Sequence, residues 1–276
     1  MGSDFHFFTS SLRGGIGNQL FQVSHALAQG WKYDVPVIFP YELDISAPHW
    51  ENRHYKNNIY RNLDFSYDIT GVKTIEEKKW NDPDLSFDPK DNNRFLGYFQ
   101  SSKNFLGYED KIRKEFSPTD VFIEEIKKIY PDIESPNTLS LHVRRTDYLR
   151  ITTTLPTIDK SYYIESIGQN GGYSKLFIFS DDMAWAKKNL MFPNTIFVDL
   201  PQTYQELWLM SLCKNNIISN SSFSWWGAWL NNNKDKRVFM PSIWFGPAGP
   251  NPHDSIFEPD WIKIKVKYSN GVLYKD

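Results

Sequence analysis

The chain has 276 residues, 40% of them hydrophobic and 16% aromatic, with a formal net charge of −2. That length supports one large domain or two smaller ones with real cores, and the near-neutral charge argues against a surface devoted to nucleic acid or acidic lipid. Cys213 is the only cysteine, which excludes an internal disulfide and a cysteine-based metal cluster and fits a reducing compartment. The start, MGSDFHFF, lacks a basic flank and a long apolar run, and no stretch of about 18 apolar residues occurs, so a cytoplasmic protein is expected.

Along the chain, FHFF reads as a strand and LFQVSHALAQGW as a helix, with Leu20, Val23, Ala26 and Leu27 at helical spacing. Between them, SLRGGIGNQ places Gly14, Gly15, Gly17 and Asn18 where backbone amides at a helix start could meet an anion; a plain glycine turn would look the same. Leu20 occupies the third-glycine position of G-x-G-x-x-G, which disfavours a dinucleotide site, and no G-x-x-x-x-G-K-[ST] occurs. VPVIFP (35–40) is a second strand, and 44–93 is polar and irregular. Within it Asp82-Pro83-Asp84 matches the D-x-D of metal-dependent sugar transferases but follows no apolar strand, so it reads as a turn. RFLGYF (94–99) is a strand, followed by helical runs at 103–116 and 119–130. The prolines and acids of PDIESP (131–136) suggest a linker between two α/β lobes, 1–134 and 135–276.

The second half alternates strand-like runs (138–145, 175–180, 195–200, 216–220, 237–242) with helical patterns after Asp182, from Tyr204 and after Ser222, while 149–160 reads as a loop. Such alternation predicts a parallel sheet wound on both faces, with ligands beyond the carboxyl ends of its strands. Three polar clusters fall at such ends. His142 and Arg144 share a strand face, and Arg144 with Arg145 suits a diphosphate, although a surface pair bonded to Asp147 would read the same. In Ser180-Asp181-Asp182 one residue is explained as a helix cap; the remaining carboxylate could accept two hydrogen bonds from the edge of guanine. Ser219-Asn220-Ser221-Ser222-Phe223 has more hydroxyl and amide groups than capping needs, and forms a candidate phosphate cradle. Trp225, Trp226 and Trp229 read as core.

GGIGNQLFQ, GYFQS, HVRRTDY, FSDD and SNSSFSWWGAWL, in this order and spacing, resemble the α-1,2-fucosyltransferases of glycosyltransferase family 11, over residues 12 to 261. HVRRTDY is also shared with α-1,6- and protein O-fucosyltransferases. The resemblance implies an α/β, GT-B-like fold of two Rossmann-like lobes with a donor cleft between them. It implies inverting transfer of L-fucose from GDP-β-L-fucose to O2 of a terminal galactose, with no cofactor and no metal. By similarity, Arg144 and Arg145 would hold the diphosphate, and His142 with Asp181 or Asp182 would contact guanine. Asn220, Ser221, Ser222 and Phe223 would meet the phosphates from the other side. Gly14, Gly15, Gly17 and Asn18 would approach the donor from the first, acceptor-side lobe. Asp147 is either the catalytic base or a partner orienting the arginines. The partners implied are GDP-fucose and a galactose-containing glycan, with membrane association only through a lipid-linked acceptor. The alternatives are a different linkage, a protein acceptor, or a non-catalytic GDP-sugar or glycan-binding protein.

Overall fold

A computed structural model describes residues 6–41, 55–80 and 85–276, and the chain falls into two compact units. Unit 1 comprises the residues up to Ser117 together with Asp254–Phe257, and unit 2 the remainder. The division therefore lies at Ser117/Pro118 and not at 134/135. The segment read as a linker is a 3-10 turn, Pro131–Glu134, with Ile133 buried. The helix before it belongs to unit 2 because Phe122 packs on Trp208 (5.0 Å between centroids) and Tyr130 on Phe177 (6.2 Å).

In unit 1, β1 (Phe8–Ser10) leads through the glycine turn into α1 (Ile16–Tyr33), followed by β2 (Ile38–Pro40), β3 (Asp64–Ser66), β4 (Lys73–Glu76), β5 (Asn93–Leu96) and α2 (Glu109–Phe116). The strands pair in parallel as β1-β5-β4 and β2-β3, and a Phe8–Val37 bridge joins the two sets. The helical run expected over 103–116 is broken: a 3-10 turn, Ser102–Phe105, precedes α2, with Gly107 between them at φ +86°. Glycine tolerates that left-handed backbone, which would end a helix at any other residue.

Unit 2 contains α3 (Asp120–Ile129), β6 (Leu139–Val143), β7 (Thr157–Ile158), α4 (Lys160–Asn170), β8 (Leu176–Ser180), α5 (Met183–Asn189), β9 (Thr195–Phe197), α6 (Thr203–Leu212), β10 (Asn215–Ile217) and α7 (Ser222–Trp229). β11 (Val238–Pro241), β12 (Ile262–Ile264) and the hairpin β13 (Val266–Ser269)–β14 (Val272–Lys275) complete it. Six strands form a parallel sheet ordered β12-β11-β10-β6-β8-β9. β6 is buried along its whole length, as expected for a central strand covered on both faces. Trp225, Trp226 and Trp229 are core; Trp225 stacks on Trp229 (5.9 Å, 9°) and contacts Trp261 (5.6 Å). A Cβ on Gly227 would lie 2.9 Å from Met210 Cβ, so the glycine permits close packing of α7 on α6.

Candidate active site

The chain runs from β6 outward to β8 and β9, then returns to the other side of β6 with β10. The strand order therefore reverses between β6 and β10, and the crevice beyond the carboxyl ends at such a point is where open α/β sheets bind ligands. The histidine–arginine motif continues β6, and the serine-rich segment continues β10. One contact spans the reversal: His142 Nδ1 lies 2.9 Å from Ser219 Oγ. The His142 ring is 5.3 Å from that of Phe223. Burial, reinforced by the charge of Arg144, lowers the pKa of His142 to about 3, so this imidazole is neutral at physiological pH.

Both arginines are held by carboxylates. Arg144 Nη2 donates to Asp147 Oδ2 (2.8 Å), and its Nε lies 3.4 Å from Asp181 Oδ2. Burial opposes the Arg144 charge, but Asp147 and Asp181 outweigh it and the pKa is raised. Arg145 Nε donates to Asp182 Oδ2 (3.2 Å), and the guanidinium lies 4.3 Å from the Trp185 ring. These contacts grip one edge of the Arg145 guanidinium. Its terminal nitrogens make no hydrogen bond among the described residues, and such a fork matches phosphate oxygens.

The sequence left one carboxylate of the Asp181-Asp182 pair over; the structure engages both. Asp182 caps α5 by accepting from Trp185 N (3.0 Å), and its other oxygen holds Arg145. Asp181 accepts from Arg145 N (2.9 Å), Thr146 N (3.0 Å) and the Thr146 hydroxyl. It fixes the loop leaving β6. Asp147 is likewise engaged at both oxygens, by Arg144 and by Tyr148 N (3.1 Å).

At the β10 end, Asn220 turns inward. Its side-chain amide donates to Pro156 O and Trp244 O (both 3.0 Å), and its backbone carbonyl accepts from the Tyr148 hydroxyl (2.9 Å). This residue brackets three segments around the crevice. Ser221, not Ser222, is the N-cap of α7, and its side chain makes no capping bond. Ser222 and Phe223, both half-buried, form the first turn.

In unit 1, Gly14 (φ +74°) and Gly15 form the turn, whereas Gly17 and Asn18 already lie in α1. Neutral amides set this turn. Arg13 N donates to Gln22 Oε1 (2.8 Å), Gln19 Nε2 to Gly14 O (2.9 Å), and Gln100 Nε2 to Asn18 Oδ1 (2.6 Å). A Cβ on Gly14 would lie 2.6 Å from Asn18 Nδ2, but one on Gly15 would meet nothing within 4 Å. Thus Gly15 presents bare backbone at the start of an 18-residue helix that has no side-chain cap. Asp82-Pro83-Asp84 lies outside the described residues.

Sequence reasoning gave no role to Thr146, Tyr148 or Trp185, and placed Ser219 only as the first residue of the candidate phosphate cradle. Tyr148 lies within the quoted motif and Ser219 within the serine cluster. Thr146 lies in that motif too, but its part follows from Asp181, 35 residues away, and Trp185, whose ring meets Arg145, had no signal.

A model of glycosyl transferase family 11 matches residues 6–265. An alpha-1,2-colitosyltransferase of Escherichia coli is 29% identical over 92% of this chain and 97% of its own length. The O-antigen biosynthesis glycosyltransferase WbnK of Escherichia coli is 33% identical over 61% of this chain and 60% of its own. Among solved structures, the fucosyltransferase NodZ from Bradyrhizobium is similar with a TM-score of 0.51 at 13% identity, over 80% of this chain and 92% of that one. POFUT1 in complex with GDP also gives a TM-score of 0.51 at 13% identity, over 86% of this chain and 99% of that one. At these identities the structural likeness carries the fold, which is α/β and GT-B-like. Among the described residues, no helix is long and apolar enough to cross a membrane.

Proposed function

Because the chain belongs to glycosyl transferase family 11, we propose that it transfers L-fucose, with inversion, from GDP-β-L-fucose to O2 of a terminal galactose, without an obligatory metal. The observation that carries this reading is the paired guanidinium fork where the strand order reverses, with the uncapped start of α7 following the neighbouring strand.

In the reaction the acceptor oxygen forms a bond to C1 of fucose as the bond from C1 to the β-phosphate oxygen breaks. The electron pair leaves with GDP, and the acceptor hydroxyl gives up its proton to solvent water. Negative charge therefore develops on the β-phosphate, where preorganised donors stabilise the transition state most. Arg144 and Arg145 supply those donors, and the first amides of α7 with Ser222 add theirs. The carboxylates keep both guanidiniums aimed before the donor arrives, which spares reorganisation during the reaction. In this proposal Asp181 and Asp182 act by positioning the arginines and the loop rather than by facing guanine. His142 stays neutral and offers one ring nitrogen to the base while the other holds Ser219. Asp147 orients Arg144, and a dissociative transition state asks little of a general base. Gly14, Gly15, Gly17 and Asn18 form the donor-facing edge of unit 1.

The colitosyltransferase relative favours a second donor, since colitose is the 3-deoxy counterpart of L-fucose. The deciding experiment offers GDP-fucose and GDP-colitose, each with methyl β-galactoside or lactose and with EDTA present, and determines the product linkage by NMR. An α-1,2-fucoside formed in EDTA is the expected result. Faster transfer from GDP-colitose replaces the donor, a different linkage replaces the acceptor position, and dependence on added metal removes the metal-independent step. A cytoplasmic location, with any membrane contact made through a lipid-linked acceptor, is part of the same proposal and is checked by cell fractionation.

A further inference from the structure

In unit 1 the glycine turn follows the carboxyl end of β1, and β5 is the strand paired beside it. Ser11 N donates to Phe95 O (3.0 Å), so the segments leaving β1 and β5 start side by side. Carboxyl ends of parallel strands are where open α/β sheets take ligands. The segment leaving β5 is Gly97-Tyr98-Phe99-Gln100-Ser101, to which the proposed reaction gives no task.

The backbone of this segment is fixed from several sides. Glu77 Oε2, just beyond β4, accepts from Tyr98 N (2.7 Å) and Phe99 N (3.2 Å). Phe99 is fully buried, stacks on His25 (4.0 Å, 6°) and stands at φ +51°, a left-handed backbone that bulky residues rarely adopt. Its carbonyl accepts from Asn104 Nδ2 (2.9 Å) and Ser101 N (2.7 Å). Gln100 Nε2 donates to Asn18 Oδ1 (2.6 Å) in the first turn of α1. A Cβ on Gly97 would lie 2.5 Å from Glu77 Cβ, so the chain passes directly against that side chain.

Phe99, Gln100 and Ser101 are buried, whereas Tyr98 between Gly97 and Phe99 is 43% exposed. The exposed Tyr33 and Tyr41 have their rings engaged. Tyr33 meets Phe8 and Phe87 edge-on, and Tyr41 lies 4.1 Å from Tyr67 with the Lys56 ammonium 3.1 Å from its centre. Among the described residues the Tyr98 ring meets no other ring and no cation, and its hydroxyl has no hydrogen-bond partner. Tyr98 thus offers a ring face and a hydroxyl, without charge, on backbone that is already held. A pyranose matches both, with a C–H face for the ring and hydroxyls for the phenol. A platform ordered in advance spares the cost of ordering it on binding.

We infer that Tyr98 is a pyranose platform at the carboxyl edge of unit 1, its ring taking the C–H face of a neutral sugar and its hydroxyl bonding one of that sugar's hydroxyls. Galactose of the acceptor and fucose of the donor share this chemistry. Their choice as probes rests on the transferase reading; contact with a pyranose does not.

The test measures binding of lactose with GDP present, and of GDP-fucose and GDP without acceptor, by saturation-transfer NMR and calorimetry. Tyr98→Ala and Tyr98→Leu are each expected to weaken lactose or GDP-fucose about fivefold, the scale of a lost aromatic contact, with GDP affinity unchanged. Tyr98→Leu keeps apolar bulk, which separates loss of the ring from disturbance of the loop. Tyr98→Phe keeps the ring and should retain most of the affinity. A loss for lactose assigns the platform to the acceptor sugar, and a loss for GDP-fucose beyond that for GDP assigns it to the donor sugar. Unaltered affinity for both sugars overturns the inference, as does an equal loss for GDP, an equal loss in Tyr98→Phe, or no binding of either sugar by the wild type. Sugar binding that falls in the variants, without transfer from either GDP-sugar, defeats the transferase reading alone; transfer with variant-insensitive binding defeats the platform alone.

Discussion

Beyond β6 the chain places two guanidiniums among three carboxylates. Beyond β1 it places a turn whose backbone is held by the neutral side chains of Gln19 and Gln22. Both edges follow the carboxyl end of a parallel strand, yet they are furnished differently. The β6 edge stores charge and holds it still, as stabilisation of a leaving diphosphate requires. The β1 edge carries the exposed Arg13, and it offers backbone with little side chain over it at Gly15, which suits close approach. The carboxyl end of a parallel strand therefore carries a braced cluster of charges in unit 2 and a sparsely covered glycine turn in unit 1.

The sharpest way to break this comparison is Arg144→Ala. Removing one preorganised donor should cost about 3 kcal/mol of transition-state stabilisation, a drop of two orders of magnitude or more in kcat/KM. Near wild-type kcat/KM with GDP-fucose would take the electrostatic role away from the β6 edge. Asp181→Asn should have a smaller effect, because the arginines remain while their support weakens. The amide cannot accept at both positions facing Arg145 N, Thr146 N and the Thr146 hydroxyl, so about 1–3 kcal/mol of stability is expected to be lost, with a fall in kcat. A normal melting temperature combined with a selective loss of GDP binding over ADP would return Asp181 to the guanine-facing role.

The glycine turn yields a matched pair. Gly14→Ala forces a side chain into φ +74°, at a cost of about 1–2 kcal/mol, and displaces Asn18. Gly15→Ala meets nothing within 4 Å at φ −69°, so stability should hold or rise by about 0.4–1 kcal/mol. If Gly15 is there for backbone approach to the donor, its alanine variant should raise KM for GDP-fucose without lowering Tm. An unchanged KM would reduce the turn to a structural one.

Much of the frame was legible because central parallel strands are apolar runs: LSLHV, LFIFS and VFMP are buried where expected. Helix α4 was missed because KSYYIESIGQN buries Tyr162, Tyr163 and Ser166 without a clean apolar stripe. The short strands β3, β4 and β12 to β14 are too polar to stand out. At the site, residue types and strand ends were readable, but allegiance was not. Nothing local says that Asp181 grips the β6 loop across 35 residues of chain, or that Asn220 faces inward to Pro156 and Trp244. Such contacts follow from strand order, which parallel pairing fixes only in three dimensions.

The mildest expected effect comes from two histidines treated differently by the two units. His142 has Ser219 as a partner, whereas His25 stacks on Phe99 (4.0 Å, 6°) and meets Phe95 edge-on, with neither ring nitrogen hydrogen-bonded. Burial lowers both pKa values to about 3, against about 6.5 in the unfolded chain. Below pH 6.5 the unfolded chain takes up these protons and the folded one does not until about pH 3. Stability is therefore fully present above 6.5 and falls as pH drops, by up to about 1.4 kcal/mol per unit for each histidine. His25→Phe keeps the aromatic stack and removes one of the two acid-sensitive groups. Its packing cost or gain is the same at every pH, so the slope is the readout. Between pH 6 and 4 the variant should lose stability measurably more slowly than wild type, with kcat at pH 7 unchanged. Parallel denaturation curves across that range would mean that His25 is already protonated in the folded protein, and that the aromatic sandwich is a cation site rather than a neutral packing element.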